Sequence, residues 1–406
     1  MKNFYKRKSC RLCDSAEVNT VLPLKRSPLC DAYIKSKKRQ KFYDLNLTLC
    51  NNCNFAQIDT VVNPKIIYRN YIYVTSSSMG LRKHFKKYTQ DVCKFLNFEK
   101  SKFVVDIGSN DGILLSFFKD KNHKVLGIDP SLSAATDAKK KNIETLNSFF
   151  NLNLAKKIIN KYGKADLITV NNLFANVDDL YSFTKSLETL LASDGVLIIE
   201  SSYLKEMVNK MVFDFIYHEH LSYLSIIPLK LFFKKFGLKL IKIEKVNTKG
   251  GSLRYYCARE LSKWKDHISV KKFTNTEKKF NISKKTFSFF NKKIEFNKKK
   301  ITNFLSKCKK LKVIAYGASA TSTTLISHYR LNNFIKYIVD DNPGKKNTFS
   351  PGYNIPVYGF EKIITDKPDI IIILAWRYKT AILKKLKKIN YKNVVIPLPQ
   401  FKVLQR

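Results

Sequence analysis

The sequence lacks several features that would place it outside the compact globular proteins. Its longest apolar run, IIIILAW at 370–376, is far shorter than the roughly 20 residues that span a bilayer, which argues against a membrane protein. Only 13 glycines and 11 prolines occur, and no long Gly/Ser linker or internal repeat is visible, so we expect closely packed domains. The basic N-terminus, MKNFYKRKSC, is not followed by the apolar stretch of a secretory signal, so we expect a cytoplasmic location.

Acidic residues are also scarce: 32 Asp and Glu face 75 Lys and Arg, a formal net charge of +43. The lysines are spread over every segment, which is typical of solvated surfaces, although a basic excess also favours anionic ligands such as nucleotide-linked substrates. Hydrophobic residues make up 44% of the chain, enough for sizeable cores and too many for intrinsic disorder. At about 150 residues per domain, 406 residues predict two to three domains.

Three regions differ in pattern. Residues 1–66 hold four of the eight cysteines and show little helical periodicity. Residues 67–245 alternate apolar runs (FVVDIG, KVLGID, ADLITV, DGVLIIES) with amphipathic stretches, the signature of βαβ units in a doubly wound parallel sheet. In residues 246–406, a Lys- and Phe-rich stretch at about 262–310 predicts helix, and a second α/β region begins at KVIAYGASA. The predicted fold class is α/β.

The first region contains two CxxC pairs, CRLC and CNNC. A two-residue gap lets both thiolates of a pair bind one ion, and two pairs complete a tetrahedral Zn²⁺ site with no open position, so we expect a structural site. Reduced core cysteines or a redox CxxC would not explain two matching pairs, whereas the other cysteines are expected to be small buried hydrophobes. The predicted ligands are Cys10, Cys13, Cys50 and Cys53.

A glycine-containing turn, DIGSNDG, follows the first strand pattern of the central region and leads into an apolar helical stretch. Such a turn lets a ligand approach the backbone and the free N–H groups of the helix start. An acidic residue ending the next strand can accept hydrogen bonds from ribose hydroxyls. Because the turn is not GxGxxG, the combination resembles class I S-adenosylmethionine-dependent methyltransferases more than dinucleotide-binding proteins. The cofactor-binding candidates are Asp106, Gly108, Asn110, Asp111, Gly112, Asp129, Asn171 and Asn172.

The segment Tyr217-His218-Glu219-His220 places proton-handling groups in a row. Histidine can remove a proton near neutral pH, a glutamate can orient its ring, and a tyrosine hydroxyl can donate to a developing oxyanion. A satisfied surface cluster or a second metal site with His218 and His220 are the alternatives, although no third ligand with metal spacing is evident.

Taken together, these motifs resemble those of the sugar C-methyltransferases that methylate carbon 3 of nucleotide-linked 4-keto-deoxyhexoses. The resemblance extends nearly end to end and adds the motifs YIYVTSSS, GGSLR, YGASA, DDNP and AW. It implies a zinc module at 1–66, an S-adenosylmethionine-dependent core at 67–245, and a Rossmann-like substrate-binding domain at 246–406. No nucleic acid partner is implied, and the oligomeric state is left open.

The resemblance also implies roles for particular residues. His220 would be the general base, supported by Glu219 and Tyr217, with Tyr73 at the reacting sugar; His218 falls on the variable position of the motif. This chain has Asn176 and Lys249 where the family often has histidines. The implied substrate-binding residues are Tyr71, Asn176, Lys249, Ser252, Arg254, Tyr316 and Trp376.

Two other functions remain compatible with parts of the sequence. A methyltransferase acting on another acceptor, such as an RNA base, would suit the zinc module and the positive charge, but no aromatic-rich basic RNA-binding motif is visible. A non-catalytic zinc-ribbon binding protein with a relic core would not require the intact Asp106, Gly108, Asp129 and His220.

Overall fold

The computed structural model describes residues 3–68, 80–387, 389 and 391–405. Their strands form two seven-stranded sheets, one four-stranded sheet and one two-stranded sheet. The predicted α/β class is confirmed, with a small cysteine-bearing unit before two larger α/β units. Among the helices of these ranges, none has both the length and the hydropathy to traverse a bilayer.

The N-terminal unit is built mainly from antiparallel strands. Strands β2, β3 and β4 pair in order and are completed by β11, a two-residue strand from a later loop, while β1 pairs with β5. The elements are β1 (Phe4–Lys6), β2 (Val18–Pro28), β3 (Phe42–Cys50), β4 (Ala56–Ile58), β5 (Thr60–Val62), α1 (Pro64–Tyr68) and β11 (Ser222–Tyr223).

The central unit is a sheet in the order β12-β13-β10-β9-β6-β7-β8, in which β8, β7, β6, β9 and β10 run parallel. All four apolar runs predicted as strands in this region are strands, and their side chains are buried on both faces because helices cover the sheet. The first half of the unit comprises α2 (Leu81–Leu96), β6 (Phe103–Ile107), α3 (Ile113–Lys119), β7 (Lys124–Ile128), α4 (Leu132–Lys140), β8 (Thr145–Leu146) and α5 (Leu152–Tyr162). The second half comprises β9 (Ala165–Asn171), α6 (Leu180–Leu190), β10 (Leu191–Ser202), α7 (Leu204–Asn209), α8 (Ile226–Lys234), β12 (Leu238–Val246) and β13 (Ser252–Arg259).

Strand β13 lies beyond residue 245 and yet belongs to the central sheet. It pairs antiparallel with β10 from Val196↔Ala258 to Ser202↔Ser252, and with β12 on its other side. A strand that is hydrogen-bonded on both edges cannot leave its sheet without losing two ladders. We therefore propose that the central unit extends at least through Arg259, rather than ending at residue 245.

The C-terminal unit has the strand order β16-β17-β15-β14-β18-β19-β20, with a parallel centre and antiparallel edge strands. The predicted helical stretch forms two helices, separated where Asn281 adopts a left-handed φ of 52° and Ser283 caps the second helix. The elements are α9 (Ile268–Phe280), α10 (Lys284–Lys307), β14 (Val313–Tyr316), α11 (Ala320–Tyr329), β15 (Ile338–Val339), β16 (Thr348–Phe349), β17 (Pro356–Tyr358), α12 (Glu361–Asp366), β18 (Ile370–Ile373), α13 (Lys379–Leu386), β19 (Asn393–Ile396) and β20 (Lys402–Gln405).

The N-terminal unit packs against both α/β units. Leu22 and Leu24 of β2 belong to the same buried cluster as Leu325 and Ile326 of α11. Cys10 and Cys50 belong to a second cluster, which continues into the central sheet. The close packing of the domains agrees with the shortage of linker residues.

Candidate active site

The two CxxC turns face each other and bring four sulfurs together. Cys10 and Cys53 Sγ atoms lie 3.6 Å apart, as do those of Cys13 and Cys50, and all four lie within 4.8 Å of one another. Each turn closes through an N–H that donates to the carbonyl of its first cysteine, and each ends in a left-handed residue with a φ of 56°. Four thiolates at this spacing fit one tetrahedral Zn²⁺ and leave no position for a reacting ligand.

The glycine turn lies at the carboxyl end of β6, where ligands bind in open α/β sheets. Gly108 has a φ of +76°, and a Cβ there would meet Leu173 Cδ2 at 3.0 Å. At the end of the next strand, Asp129 accepts hydrogen bonds from the N–H of Asn110 at 2.9 Å and of Ser131 at 2.9 Å. Hydrogen bonds therefore hold the glycine turn and Asp129, after β7, in a fixed relative position.

Asp106 stands directly before the turn and is fully enclosed by neighbouring strands. Its Oδ1 accepts a hydrogen bond from Thr169 Oγ1 at 2.6 Å. Burial raises the pKa of this carboxyl to about 7, although the bond from Thr169 opposes the shift. Asp106 therefore holds adjacent strand ends together at the floor of the site.

A cavity of about 300 Å³ opens over these strand ends. It contains most of the residues predicted for the donor together with several predicted for the acceptor. The predicted site residues that line it are Asp106, Gly108, Asn110, Asp129, Asn171, Asn172, Asn176, Glu219 and Lys249.

In the described part of the chain, some polar side chains of the cavity wall have atoms without a hydrogen-bond partner. Within the described ranges, the buried Oδ1 atoms of Asn171 and Asn176 have no hydrogen-bond donor, although Asn176 Nδ2 donates to Tyr68 at 3.1 Å. Unpaired buried acceptors cost free energy unless a ligand supplies donors. Apolar walls from Leu81, Phe85 and Phe150 complete a space suited to a nucleoside with a polar amino acid tail, as in S-adenosylmethionine.

Two residues of the DIGSNDG motif lie outside the cavity. Asp111 pairs with Lys141, whose Nζ lies 2.9 Å from its Oδ2. A Cβ at Gly112 would meet Ala138 and Ile143 at 3.2 Å, so this glycine permits close helix packing. We propose that both positions shape the turn rather than touch the donor.

The Tyr-His-Glu-His segment divides between the cavity and the protein interior. Glu219 and His218 line the cavity, whereas Tyr217 and His220 lie behind it. His220 Nδ1 lies 3.0 Å from the carbonyl oxygen of Phe215, which fixes an Nδ1–H donor, and its Nε2 lies 3.2 Å from the Tyr217 hydroxyl. Burial and the nearby Lys249 ammonium lower the pKa of His220 to about 3, so the ring is neutral with an accepting Nε2.

His218 contributes a second neutral imidazole. Its Nε2 lies 3.0 Å from the carbonyl oxygen of Asp44, and its buried Nδ1 has no partner in the described part of the chain. Burial lowers the pKa of His218 to about 4. The resemblance assigns His218 a minor role because this residue occupies the variable position of the motif.

The predicted substrate residues of the GGSLR motif lie outside the cavity. Arg254 is 4% exposed and pairs with Glu200 at 2.9 Å and with Glu244 at 3.2 Å, while its guanidinium stacks on Tyr88. Ser252 is also buried, and its hydroxyl contacts the carbonyl of Thr248 within the turn. We propose that both residues are structural.

Tyr316 and Trp376, from the C-terminal unit, also lie away from the cavity. The Tyr316 hydroxyl donates to Asp341 at 3.0 Å. The Trp376 indole N–H donates to buried Asp214 at 2.9 Å, just upstream of the Tyr-His-Glu-His segment. Trp376 therefore anchors this segment. Tyr71 and Tyr73 lie outside the described residues.

One contact at the cavity wall involves a residue that none of the sequence motifs indicated. Arg11, between Cys10 and Cys13, is 3% exposed, and its Nε donates to Asp178 at 2.9 Å. Asp178 lines the cavity. Neither spacing nor residue type could have linked these positions, which lie 167 residues apart.

Comparison with known proteins matches the chain in three consecutive parts. Family models match a "Putative zinc binding domain" at 10–68, a methyltransferase domain at 81–243, and a C-methyltransferase C-terminal domain at 247–399. The chain is also 26% identical over 404 residues to the C-methyltransferase NovU of Streptomyces niveus, a match that covers 97% of this chain and 96% of the relative.

Solved structures match about half of the chain. Magnesium protoporphyrin IX methyltransferase of Synechocystis PCC 6803 with bound SAM is 14% identical, covering 49% of this chain and 98% of that chain with a TM-score of 0.36. The PH0226 protein of Pyrococcus horikoshii OT3 is 15% identical, covering 48% and 99% with a TM-score of 0.36. With a donor-type turn, a four-cysteine cluster and three consecutive family matches, the chain is similar to C-methyltransferases over nearly its whole length, and it is an S-adenosylmethionine-dependent methyltransferase with a structural zinc module.

Proposed function

We propose that the protein methylates the carbon next to the 4-keto group of a nucleotide-linked deoxysugar through an enolate. The observation that carries the proposal is the shared cavity, which combines the donor turn at Gly108 and Asp129 with the acceptor-side groups Glu219, Asn176 and Lys249. Reactants held in one enclosed space gain several kcal/mol from positioning alone.

The reaction requires removal of a proton and stabilisation of charge. A 4-keto group acidifies the hydrogen on the neighbouring carbon; as a base takes this proton, the C–H electron pair forms the enolate. Bound S-adenosylmethionine supplies the electrophilic methyl group, and formation of the carbon–carbon bond accompanies cleavage of the methyl–sulfur bond. Asp129 and Asn171 would hold the donor, and the closed Cys₄ zinc site has no part in the chemistry.

His220 remains our proposed base, acting through Tyr217. The carbonyl of Phe215 holds the Nδ1–H tautomer, so Nε2 accepts from the Tyr217 hydroxyl at 3.2 Å. Tyr217 would relay the proton in one concerted step: its hydroxyl gives its proton to Nε2 as it receives the substrate proton, so that no free phenolate forms, and this requires the Tyr217 hydroxyl to reach the acceptor when the acceptor is bound. The low pKa of His220 keeps its lone pair free at neutral pH, and a neighbouring enolate would favour the protonated ring.

Mass spectrometry of products tests the proposed reaction. The protein is incubated with S-adenosylmethionine and a panel of nucleoside-diphosphate-linked 4-keto-6-deoxyhexoses. We expect one product heavier by a methylene, with the added carbon bonded to the ring carbon beside the ketone. Methylation of an oxygen, or of none of these sugars, would contradict the proposal.

Hydrogen exchange isolates the role of His220. With S-adenosylhomocysteine bound, the wild type should exchange the acidic carbon-bound hydrogen with deuterated water, and His220→Asn should lower exchange and turnover by at least about 10²-fold. Tyr217→Phe should impair both because it interrupts the relay. His267→Asn is the matched control, since this exposed histidine caps α9 and asparagine retains a capping acceptor. Exchange at the wild-type rate in His220→Asn would exclude it as the base.

A further inference from the structure

Lys249 is placed at the cavity by the geometry of the central sheet. It lies in the turn between β12 and β13, and because β13 runs antiparallel to β10, this turn sits beside the carboxyl ends of the parallel strands. The N–H of Gly251 closes the turn on the carbonyl of Thr248 at 2.8 Å, and the N–H of Tyr203, after β10, donates to the Gly251 carbonyl at 3.1 Å. The turn is therefore fixed to the site.

The backbone at this position is unusual for a lysine. Lys249 has a φ of +50°, and Gly250 and Gly251 follow with φ of +87° and +129°. A left-handed conformation costs a non-glycine residue about 1 kcal/mol or more and persists where surrounding contacts impose it. The turn thus holds a long cationic side chain at the cavity wall, where it lines the same space as Asn176 and Glu219.

The charge of the cavity wall makes this lysine distinctive. The acidic side chains that line the cavity are Asp106, Asp129, Asp178 and Glu219, whereas Lys249 is the cationic side chain among its described lining residues. Carboxylates suit the positively charged sulfonium donor. A cation on the acceptor side suits a group that is, or becomes, negative.

In the part of the chain that the structure describes, Lys249 forms no ion pair. No carboxylate lies within 4.0 Å of its ammonium in the described ranges, and the remaining residues contain no Asp or Glu side chain. Burial lowers the pKa of Lys249 to about 8, an effect that Glu219 and Glu200 partly offset. The side chain is therefore mostly protonated at neutral pH, and its weak hydration makes a bound anion more favourable.

We propose that Lys249 is a further catalytic residue, whose ammonium donates a hydrogen bond to the keto oxygen of the acceptor and stabilises the enolate oxygen. This inference rests on the proposed function. The base takes the carbon-bound proton, the C–H electron pair moves toward the keto oxygen, and Lys249 keeps its own proton while donating to that oxygen. When the enolate carbon attacks the methyl group, the carbonyl re-forms and Lys249 is unchanged.

The chemical reason for a catalytic role is that the negative charge on the keto oxygen forms only during the reaction. A keto oxygen is neutral in the ground state and negative in the enolate, so an ammonium beside it strengthens its interaction as the barrier is crossed. A single donor of this kind in a water-poor site typically contributes about 10²–10³-fold in rate. A lysine that bound a permanently charged group, such as the diphosphate of the nucleotide, would instead strengthen ground state and transition state alike.

Steady-state kinetics of Lys249→Gln distinguishes these roles, with a nucleoside-diphosphate-linked 4-keto-6-deoxyhexose that the wild type methylates. We expect kcat to fall by at least about 10²-fold with KM changed by less than about threefold, and enolisation, followed as deuterium exchange, to fall in parallel. Lys245→Gln is the matched control, because this lysine lies in the same hairpin, is exposed, and pairs with Glu206 at 3.2 Å. Donor affinity by calorimetry and the melting temperature should be unchanged in both variants.

The pH profile supplies a second readout. The wild-type rate should decline above about pH 8 as Lys249 loses its proton. Lys249→Arg should retain part of the rate while moving this decline upward by more than one pH unit.

A rise in KM with kcat retained in Lys249→Gln would overturn the proposal in favour of a permanent anion as the partner of Lys249, and unchanged kinetics would exclude any contact between Lys249 and the acceptor. If the wild type methylates none of the ketosugars, the proposed function itself fails, and Lys249 loses this role with it.

Discussion

At the scale of single residues, backbone hydrogen bonds hold the carboxylate of Asp129 on the proposed donor side of the cavity. Both carboxylate oxygens of Asp129 receive backbone N–H groups, one from the glycine turn and one from the start of α4. The carboxylate is thereby held at the strand end where ribose hydroxyls are expected, although burial raises its pKa. A carboxylate that is already held in place loses little conformational entropy when S-adenosylmethionine binds.

This arrangement predicts that Asp129→Ala weakens S-adenosylmethionine binding by about 1.5–3 kcal/mol, because a charge-assisted acceptor is removed. Isothermal calorimetry measures the change directly. Asp137→Ala is the control, since Asp137 lies on the neighbouring α4 and pairs only with the exposed Lys140 among the described residues. Equal affinities for Asp129→Ala and the wild type would place the donor elsewhere.

A second residue-scale prediction separates structural from substrate-binding roles. Arg254 is enclosed between Glu200, Glu244 and Tyr88, so Arg254→Gln should lower the free energy of unfolding by roughly 3–5 kcal/mol. Urea denaturation measures this loss. Arg26→Gln, which breaks the exposed pair with Asp44, should cost about 1 kcal/mol or less. A stable Arg254→Gln variant with a raised KM for the acceptor would restore a substrate-binding role.

At the scale of elements, the zinc turns are joined to the catalytic unit. Cys10 and Cys50 lie in the same buried cluster as Phe174 and Leu180 of the central unit, and Arg11 in the first turn reaches Asp178 in the cavity wall. Loss of the metal should therefore loosen more than the N-terminal unit. The N-terminal unit therefore supports the site through Arg11 and also lines the cavity directly with Val61, Pro64 and Tyr68.

The corresponding prediction is that Cys50→Ser releases zinc and lowers the melting temperature, because the tetrahedral site loses a thiolate. Metal analysis and thermal denaturation test it, with Cys93→Ser as the control, since Cys93 lies near His123 outside the cluster. We expect chelation to reduce stability before it reduces turnover. Absence of zinc from freshly purified protein would contradict the assignment.

At the scale of the whole molecule, the C-terminal unit contacts the segment that leads to the proposed base. Trp376 and Arg377 both donate to Asp214, at 2.9 and 3.0 Å, and the Arg377 guanidinium lies over the Phe215 ring at 4.4 Å. Phe215 in turn supplies the carbonyl that fixes His220. The second α/β unit therefore orients the proposed base without lining the described cavity.

Buried histidines also give the whole fold a defined response to acid. Burial lowers the pKa of His218 to about 4, so below about pH 6.5 the unfolded chain binds a proton that the folded protein does not. Stability should fall as pH decreases from about 6.5 to about 4, with His218 contributing up to about 1.4 kcal/mol per pH unit.

Urea unfolding at a series of pH values tests this response. His218→Asn should flatten the decline between pH 6.5 and 4. His267→Asn, the same substitution at an exposed histidine, is the matched control. An equal slope in His218→Asn and the wild type would show that other groups govern acid unfolding.

The sequence by itself determined the features that depend on local pattern. Two CxxC pairs predicted the four-sulfur cluster, and apolar runs ending in DIGSNDG and Asp129 predicted parallel strands whose ends face a donor, because residue spacing along strands and tight turns is set by backbone geometry. The four-sulfur cluster and the parallel strands are confirmed, and family models match a zinc-binding domain and a methyltransferase domain in the same regions. That the strand ends face the donor stays a proposal. The roles of individual acceptor-side residues stay proposals.

Only the tertiary structure decided which of the remaining candidates share the cavity. Lys249 reaches it because β13 returns antiparallel beside β10, whereas Arg254, on the same strand, is enclosed by carboxylates. Trp376 lies behind the site, and Arg11 reaches its wall from the zinc turn. Such placements depend on contacts between residues far apart in the chain, and neither residue type nor spacing specifies which side chains a folded core will bring together.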